Sequence, residues 1–573
     1  MADKLLQDYS KYPDMAHWFS PCLLLKLLNN VIVSSMFGQY ADRRLIMAAL
    51  DSVSPETHFD RATAFAFDED KDGAVWIDWI ADLGDGFDST YAMALLLAQK
   101  TLKFGDRELP RGQMLIMGGD EVYPTASRQA YANQLHQPYK WAFPDHDKTS
   151  DKGVPVFAIP GNHDWYDGLV LFLSYFCREK HLHMGSWRTQ QRRSYFAVRV
   201  TKDWWIWATD IQLADNIDQP QYDYFSAIAH QMEPNSKIIL CGAEPGWLYT
   251  HTNSQSWKVM EFAIRIANEA DRGLTFPLLL SGDTHHYSRY SAEDGKQFIT
   301  SGGGGAFRHP THHLADEVIV NWQKEDKKLS LTTSADEPHR ETGTAACYPS
   351  KETSQSLLWQ DLWFAIKNWD FSIFMGAIYG LMGVIVALRD QWDAYGLIGL
   401  TFAGTLVGYT YKQEQSAHPK VILSSLAHAL LQSVAVILSA RFFAHYNDTH
   451  FNFGSEWYSG WLWLFTLLLE MGVVGFVVGS TLFGLNMLLT CAFLRMNYND
   501  AFSAFRLNRY NNFLRLRIKG DSIEVFAIGL ESVPKRDDWT ANQQAAAGNS
   551  DQPVFLPDKP LRPHLIEKVV VRA

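Results

Sequence analysis

The sequence predicts an α/β domain followed by an all-α membrane-crossing domain, and three observations carry that expectation. First, runs rich in β-branched and aromatic residues end abruptly in polar turns: AVWIDWI runs into ADLGDG, QMLI into MGGDEVYP, PVFA into IPGNHDWYDG, and TFPLLL into SGDTHHY. Such runs read as buried strands of an α/β sheet. Second, Asp82, Asp120, Asn162, Asp283 and His285 all lie in those turns. Open α/β sheets hold their ligands beyond the carboxyl ends of the strands, so these side chains are expected to converge. Third, nearly all long apolar stretches fall after residue 370.

The residue types point to a class of chemistry. Hard oxygen ligands together with imidazole suit divalent or trivalent cations, and one carboxylate can bridge two ions. A dinuclear metal hydrolase is the expectation. Each motif alone has a blander reading, because Gly-Asp and Gly-Asn-His-Asp are also ordinary turn chemistry. Their order, each at a strand end, is what favours the site.

The ordered set is Asp82-Leu83-Gly84, Gly119-Asp120-Glu121-Val122-Tyr123, Gly161-Asn162-His163-Asp164 and Gly282-Asp283-Thr284-His285. It resembles the calcineurin-like metallophosphoesterase superfamily, and its first two motifs resemble the purple acid phosphatase branch. The resemblance implies a metallophosphoesterase β-sandwich flanked by helices, with two metal ions (Fe, Mn, Mg or Zn) and a phosphoester substrate. It assigns Asp82, Asp120, Tyr123 and His285 to one metal, and shares Asp120 with a second metal that takes Asn162. There the pattern departs: Asp283 stands where the family has a histidine, and Lys237 to Pro245 contains no strand-end histidine. Glu244 or a water would fill the gap, and an oxygen-rich second site favours manganese or magnesium over zinc.

By the same resemblance His163 addresses the phosphate, and Asp164 orients that imidazole as carboxylates behind a ligand do. Tyr123 beside Pro124 can equally cap its strand and pack. Asp85, Asp88 and His286 read as substitutes or as packing groups. The run Ser301 to Gly305 reads as a flexible turn, and His309, His312 and His313 as a cleft mouth or a solvated loop.

The hydrophobic share of 47% hides an asymmetry between the halves of the 573-residue chain. Phe371 to Leu388, Tyr395 to Tyr411, Val421 to Ala444 and Trp461 to Leu494 are each long enough for a hydrocarbon core of about 30 Å, with Trp and Tyr at several ends. The last contains Glu470 and Gly472, Gly475 and Gly479, and is read as one long helix, giving four crossings. The expected organisation is an N-terminal helical segment (1–70), the catalytic domain (71–325), a linker (326–370), about four transmembrane helices (371–494), and a soluble C-terminal segment with a β-hairpin and a mobile tail (495–573).

No charged n-region precedes an apolar core, so a cleaved signal peptide is not expected. Arg495, Arg506, Arg509, Arg515, Arg517 and Lys519 form a basic cluster after the last span, which the positive-inside rule places in the cytoplasm and which would suit anionic headgroups. Five scattered cysteines fit a reducing compartment. A net charge of −12 argues against a nucleic-acid partner. The sequence therefore predicts an integral protein of the plasma (inner) membrane with a cytoplasmic metal-dependent phosphoesterase acting on a monoester or diester, a lipid-linked substrate being suggested by the anchor alone. The alternative is a phosphate-ligand sensor or scaffold with a degenerate site.

Overall fold

The structure, a computed structural model, describes residues 6–37, 43–44, 59–60, 70, 72–144, 153–178, 180–211, 216–250, 254–333, 346–414, 418–451, 453–454, 456–546 and 552–572. Much of the N-terminal segment expected over 1–70 therefore lies outside the described residues; within them, Pro21–Phe37 is a helix. The chain divides into two compact units, one of residues 1–16, 27–351 and 507–573, the other of 17–26 and 352–506.

The first unit is built on two mixed sheets. In one, Val75–Ile80, Met114–Met117, Val154–Ala158 and Trp187–Thr189 run parallel in that order. In the other, Trp204–Ala208, Lys237–Gly242, Thr275–Ser281 and Gln297–Ser301 do the same. Strands of this kind are buried on both faces, which is why their sequences are continuous apolar runs rather than alternating ones. Val75–Ile80 is buried throughout. The single charge in it, Asp78, is met by a bidentate Arg515, Nε to Oδ1 at 2.7 Å and Nη2 to Oδ2 at 2.9 Å.

Arg515 comes from the far end of the chain. The hairpin of Arg509–Lys519 and Ser522–Ser532 lays its first strand antiparallel against Val75–Ile80, pairing Leu514 with Trp79. Pro563–Arg572 then pairs with Ser522–Ser532 and closes that edge. The end of the expected mobile tail is thus a ten-residue strand; Leu565 to Val571 carries enough β-branched and apolar residues to pair once an edge is offered. The expected linker is likewise ordered where described. Glu325–Leu331 pairs with Glu317–Trp322, Cys347–Tyr348 pairs with Tyr287–Ala292, and Lys351–Leu357 is helical. Residues 334–345 lie outside the described residues.

The second unit is helical. Its long helices are Trp369–Leu388, Trp392–Glu414, Pro419–His450 and a continuous run over Ser459–Leu494. Three of them, the first, third and fourth, are long and apolar enough to cross a membrane. The helix Trp392–Glu414 falls short of the others in hydropathy because Thr401, Thr405, Thr410 and four glycines dilute it before Lys412 and Glu414. The Ser459–Leu494 run widens into a π-turn over Gly475–Gly479 without breaking. Gly475 allows a close helix contact there, since a Cβ would stand 2.5 Å from the Met375 carbonyl oxygen. Glu470 accepts a hydrogen bond from Asn447 Nδ2 at 2.8 Å, which makes it a helix-packing group.

Candidate metal centre

Each motif residue sits a few positions past the carboxyl end of a parallel strand. Asp82 follows Ile80, Asp120 follows Met117, Asn162 follows Ala158, Glu244 follows Gly242 and Asp283 follows Ser281. Asp82, Asp120 and Asp283 all have left-handed backbones, at φ 60°, 54° and 66°. Such conformations cost on the order of 1–3 kcal/mol each and collect at functional sites; Asp is among the side chains that tolerate them.

Close backbone approach completes the arrangement. A Cβ on Gly161 would stand 2.1 Å from Asp120 Oδ1, and one on Gly302 would stand 2.2 Å from Asp82 Oδ2. The glycine run Ser301 to Gly305 is therefore no flexible turn. It is buried, and Gly303 accepts from the Asn512 backbone N–H at 3.1 Å.

The Tyr123 hydroxyl is the focus of one half of the site. It lies 3.0 Å from Asp82 Oδ1, 2.9 Å from Asp120 Oδ2 and 2.9 Å from His285 Nε2. His285 Nδ1 is 2.6 Å from the Phe307 carbonyl oxygen. A carbonyl only accepts, so Nδ1 carries the hydrogen and Nε2 keeps its lone pair. Asp82 Oδ1 also accepts from the Asp283 backbone N–H at 3.2 Å, while Asp82 Oδ2 is buried with no hydrogen-bond partner. Among the described residues no three His, Cys, Asp or Glu side chains are drawn together tightly enough to hold an ion as they stand; they meet on the tyrosine instead.

The electrostatics have the same sense. Burial, followed by repulsion from Asp120 and Asp283, pushes the Asp82 carboxyl well above its usual range. Burial and then Asp283 push Asp120 up to about 7, and burial raises Asp283. Burial, then Asp120 and Asp82, keeps the Tyr123 phenol protonated far above its ordinary range. A buried acidic cluster short of donors is a donor set that a cation fits.

The other half is a small cavity bounded by Asp82, Gly119, Asp120, Asn162, Glu244 and Asp283. Every expected ligand of the second site therefore reaches one space. Two tyrosines that the sequence reading missed steady it: Tyr249 donates to Asp283 Oδ2 at 2.8 Å, and Asn162 Nδ2 donates to Tyr166 at 3.3 Å. The spacing of Asn162 and Tyr166, four residues apart on one helical turn, was a usable signal. Nothing in the sequence marks Tyr249.

His163 is held differently from expectation. Its Nδ1 lies 2.8 Å from the Pro124 carbonyl oxygen, and its backbone N–H donates to Asp120 Oδ1 at 2.9 Å. Asp164 is occupied elsewhere: Oδ2 accepts from the Gly161 and Glu121 backbone N–H groups, and Oδ1 accepts from Tyr131 at 2.5 Å. The carboxylate sits at the third position of the short helix Asn162–Trp165, where it caps the turn, and so the expected orientation of His163 by Asp164 is replaced by the Pro124 carbonyl. Burial lowers His163 to about 4, which keeps the imidazole neutral.

The secondary candidates have structural partners. Asp85 accepts from the Ala16 backbone, Asp88 pairs with Arg536 at 2.9 Å, and His286 contacts Ser288. His309 stacks on His285 with ring centres 4.2 Å apart.

Residues 75–287 match the family model described as calcineurin-like phosphoesterase. The chain thus carries a calcineurin-like phosphoesterase domain, of mixed α/β sheets, ahead of a helical region. No curated protein matches it.

Proposed function

We propose that the protein is a membrane-anchored phosphoesterase that hydrolyses a phosphomonoester or phosphodiester at a dinuclear metal site. The observation that carries the reading is the convergence of Asp82, Asp120 and His285 on the Tyr123 hydroxyl, with Asp82 Oδ2 buried and without a hydrogen-bond partner. Asp82, Asp120, Tyr123 and His285 would hold one cation; Asp120, Asn162, Asp283 and Glu244 would hold the other. Bound there, cations would polarise a phosphoryl oxygen and would lower the pKa of water from about 15.7 to about 7.

The remaining work falls to the chain's own groups. Tyr249 and Tyr166 fix the second-site oxygens, so that Asp283 and Asn162 do not reorganise when substrate arrives. His163, neutral at rest and anchored through Nδ1, takes up a solvent proton at Nε2 when the anionic phosphoester enters. It returns that proton to the departing oxygen as the ester P–O bond breaks and water oxygen bonds to phosphorus.

A second reading, a phosphate-ligand sensor, is favoured by one feature: the second site contains no imidazole. Metal analysis of purified protein, with a panel of generic monoester and diester substrates, separates the two. Two metals and turnover support the enzyme; one metal, phosphate binding and no turnover on any substrate support the sensor.

A further inference from the structure

The segment between the catalytic unit and the first long apolar helix has its polarity inverted. Over Leu358–Trp363 and Phe364–Lys367 the buried positions are Leu358, Asp361, Phe364 and Ala365, with Asn368 next. The outward positions are Trp359 at 66% exposure, Leu362 at 42%, Trp363 at 61%, Ile366 at 67% and Trp369 at 52%. An amphipathic helix against water turns its polar side outward. Here Asp361 and Asn368 point into the protein, while three tryptophans, a leucine and an isoleucine form the outer face.

The inner side is firmly seated. Asn368 Nδ2 donates to the Ala504 carbonyl at 3.3 Å. Phe364 packs against Phe19, Phe371 and Phe483 with ring centres 5.0–5.4 Å apart. Gly484 leaves room for the segment, because a Cβ there would stand 2.2 Å from the Asp361 carbonyl oxygen. The outer face is also continuous with a longer one: Trp369 opens the helix Trp369–Leu388, whose Ile373, Phe374, Leu381 and Leu388 are exposed in turn.

From this we infer that Leu358–Lys367 lies in the plane of the membrane interface, with Trp359, Leu362, Trp363, Ile366 and Trp369 inserted at the boundary between headgroups and acyl chains. The inference rests on the membrane reading proposed above. Tryptophan is suited to that zone because an apolar ring carries a single N–H donor that polar headgroups satisfy. An in-plane element of this kind sinks about 5–10 Å below the headgroup surface. The exposed polar residues Glu352, Gln355 and Ser356 precede it and remain in water.

The test uses full-length protein in phosphatidylcholine vesicles. Cys22 is the exposed one of the five cysteines, so a Cys22→Ser background allows a fluorophore on Trp359→Cys or, separately, on Phe374→Cys. Iodide quenches from the aqueous side, and nitroxides high on the acyl chain quench from the lipid side. The expected result is strong nitroxide and weak iodide quenching at both positions, with Trp359→Cys at a depth of about 5–10 Å. Iodide access at position 359 with lipid quenching at 374 overturns the interfacial placement alone. Iodide access at both overturns the membrane reading as well. Shielding of position 359 from both quenchers, relieved when the protein is diluted in lipid, means that a second copy covers the face and the inference fails. Ile366→Cys repeats the measurement should the Trp359 variant not fold.

Discussion

Asp120 is the residue on which the two halves of the site depend. Asp120→Asn is expected to abolish hydrolysis and to lower metal content at both positions, because Asp120 would serve both cations; a variant with full activity would end the dinuclear reading. His163→Ala should leave metal content nearly unchanged and lower turnover by about 10²–10⁴-fold, and loss of metal would reassign that histidine. If Tyr123 gives its phenolate to ferric iron, aerobically purified protein absorbs in the visible and Tyr123→Phe does not. A colourless, active manganese or magnesium enzyme would exclude iron while leaving the hydrolase intact. The site also has a pH signature. Asp120 and Asp164 are raised by burial to about 7 and about 8, so the metal-free folded state holds more protons than the unfolded chain between about pH 4 and about pH 8. Its stability must fall as pH rises through that window. Added metal should reverse the trend, since ligation takes the deprotonated groups. Thermal melts with chelator and with manganese across this range read the effect, and a chelated protein that gains stability toward pH 8 would contradict it. The strand-end acids were legible because their chemistry is written beside a turn. The Pro124 and Phe307 carbonyls that orient His163 and His285 were not, because a backbone carbonyl leaves no mark in sequence.

At the scale of elements, the hairpin of Arg509–Lys519 and Ser522–Ser532 was readable from its alternation and its Gly520-Asp521 turn, and the four motif strands from their apolar runs. Which strand the hairpin joins was not readable. That depends on Asp78 and Arg515, 437 positions apart, and a charge inside an apolar run says only that a partner exists somewhere. The same pairing revises the basic cluster. Arg515 is spent on Asp78, Arg517 on Asp70, Asp72 and Glu524, and Arg509 on Glu531, so these three are salt-bridged rather than committed to lipid headgroups. Arg515→Met should destabilise the catalytic unit by about 3–5 kcal/mol, the cost of leaving a buried carboxylate alone. Asp78→Asn combined with Arg515→Met should recover part of the loss in denaturant melts. A single variant within about 0.5 kcal/mol of wild type would show that the pair carries little.

For the whole molecule, the sheet constrains how the helices could cross a membrane. Val75–Ile80 precedes the long apolar helices and Arg509–Lys519 follows them, yet the two are hydrogen-bonded neighbours. Strands on opposite sides of a bilayer cannot pair, so if the helices cross a membrane as proposed, the number of crossings is even. Three helices meet the length and hydropathy expected of a span; we propose Trp392–Glu414, whose Leu397 and Leu400 are exposed, as the fourth. Single-cysteine labelling of intact cells tests this. Asp393 and Asp448 should label, whereas Gln413 and Lys559 should not; Asp448 is preferred to its neighbour Asn447, which is buried against Glu470. Labelling at Lys559 together with Asp393 and Asp448 would imply an odd number and contradict the sheet, whereas labelling at Lys559 and Gln413 alone would keep the even number and reverse the orientation.

The shared sheet also imposes an order in time. The ribosome delivers the motif strands first and the helices next, and only then Arg509–Lys519, one of the two neighbours of Val75–Ile80, at about 5–20 residues per second. Until Arg509–Lys519 emerges, the strand leading to Asp82 has a bare edge, Asp78 has no arginine, and Gly303 lacks its bond to Asn512. A chain halted before Arg509–Lys519 would keep that edge open. If the helices cross a membrane as proposed, completion of this sheet waits on their insertion, and a chain arrested before that point keeps an unpaired strand edge.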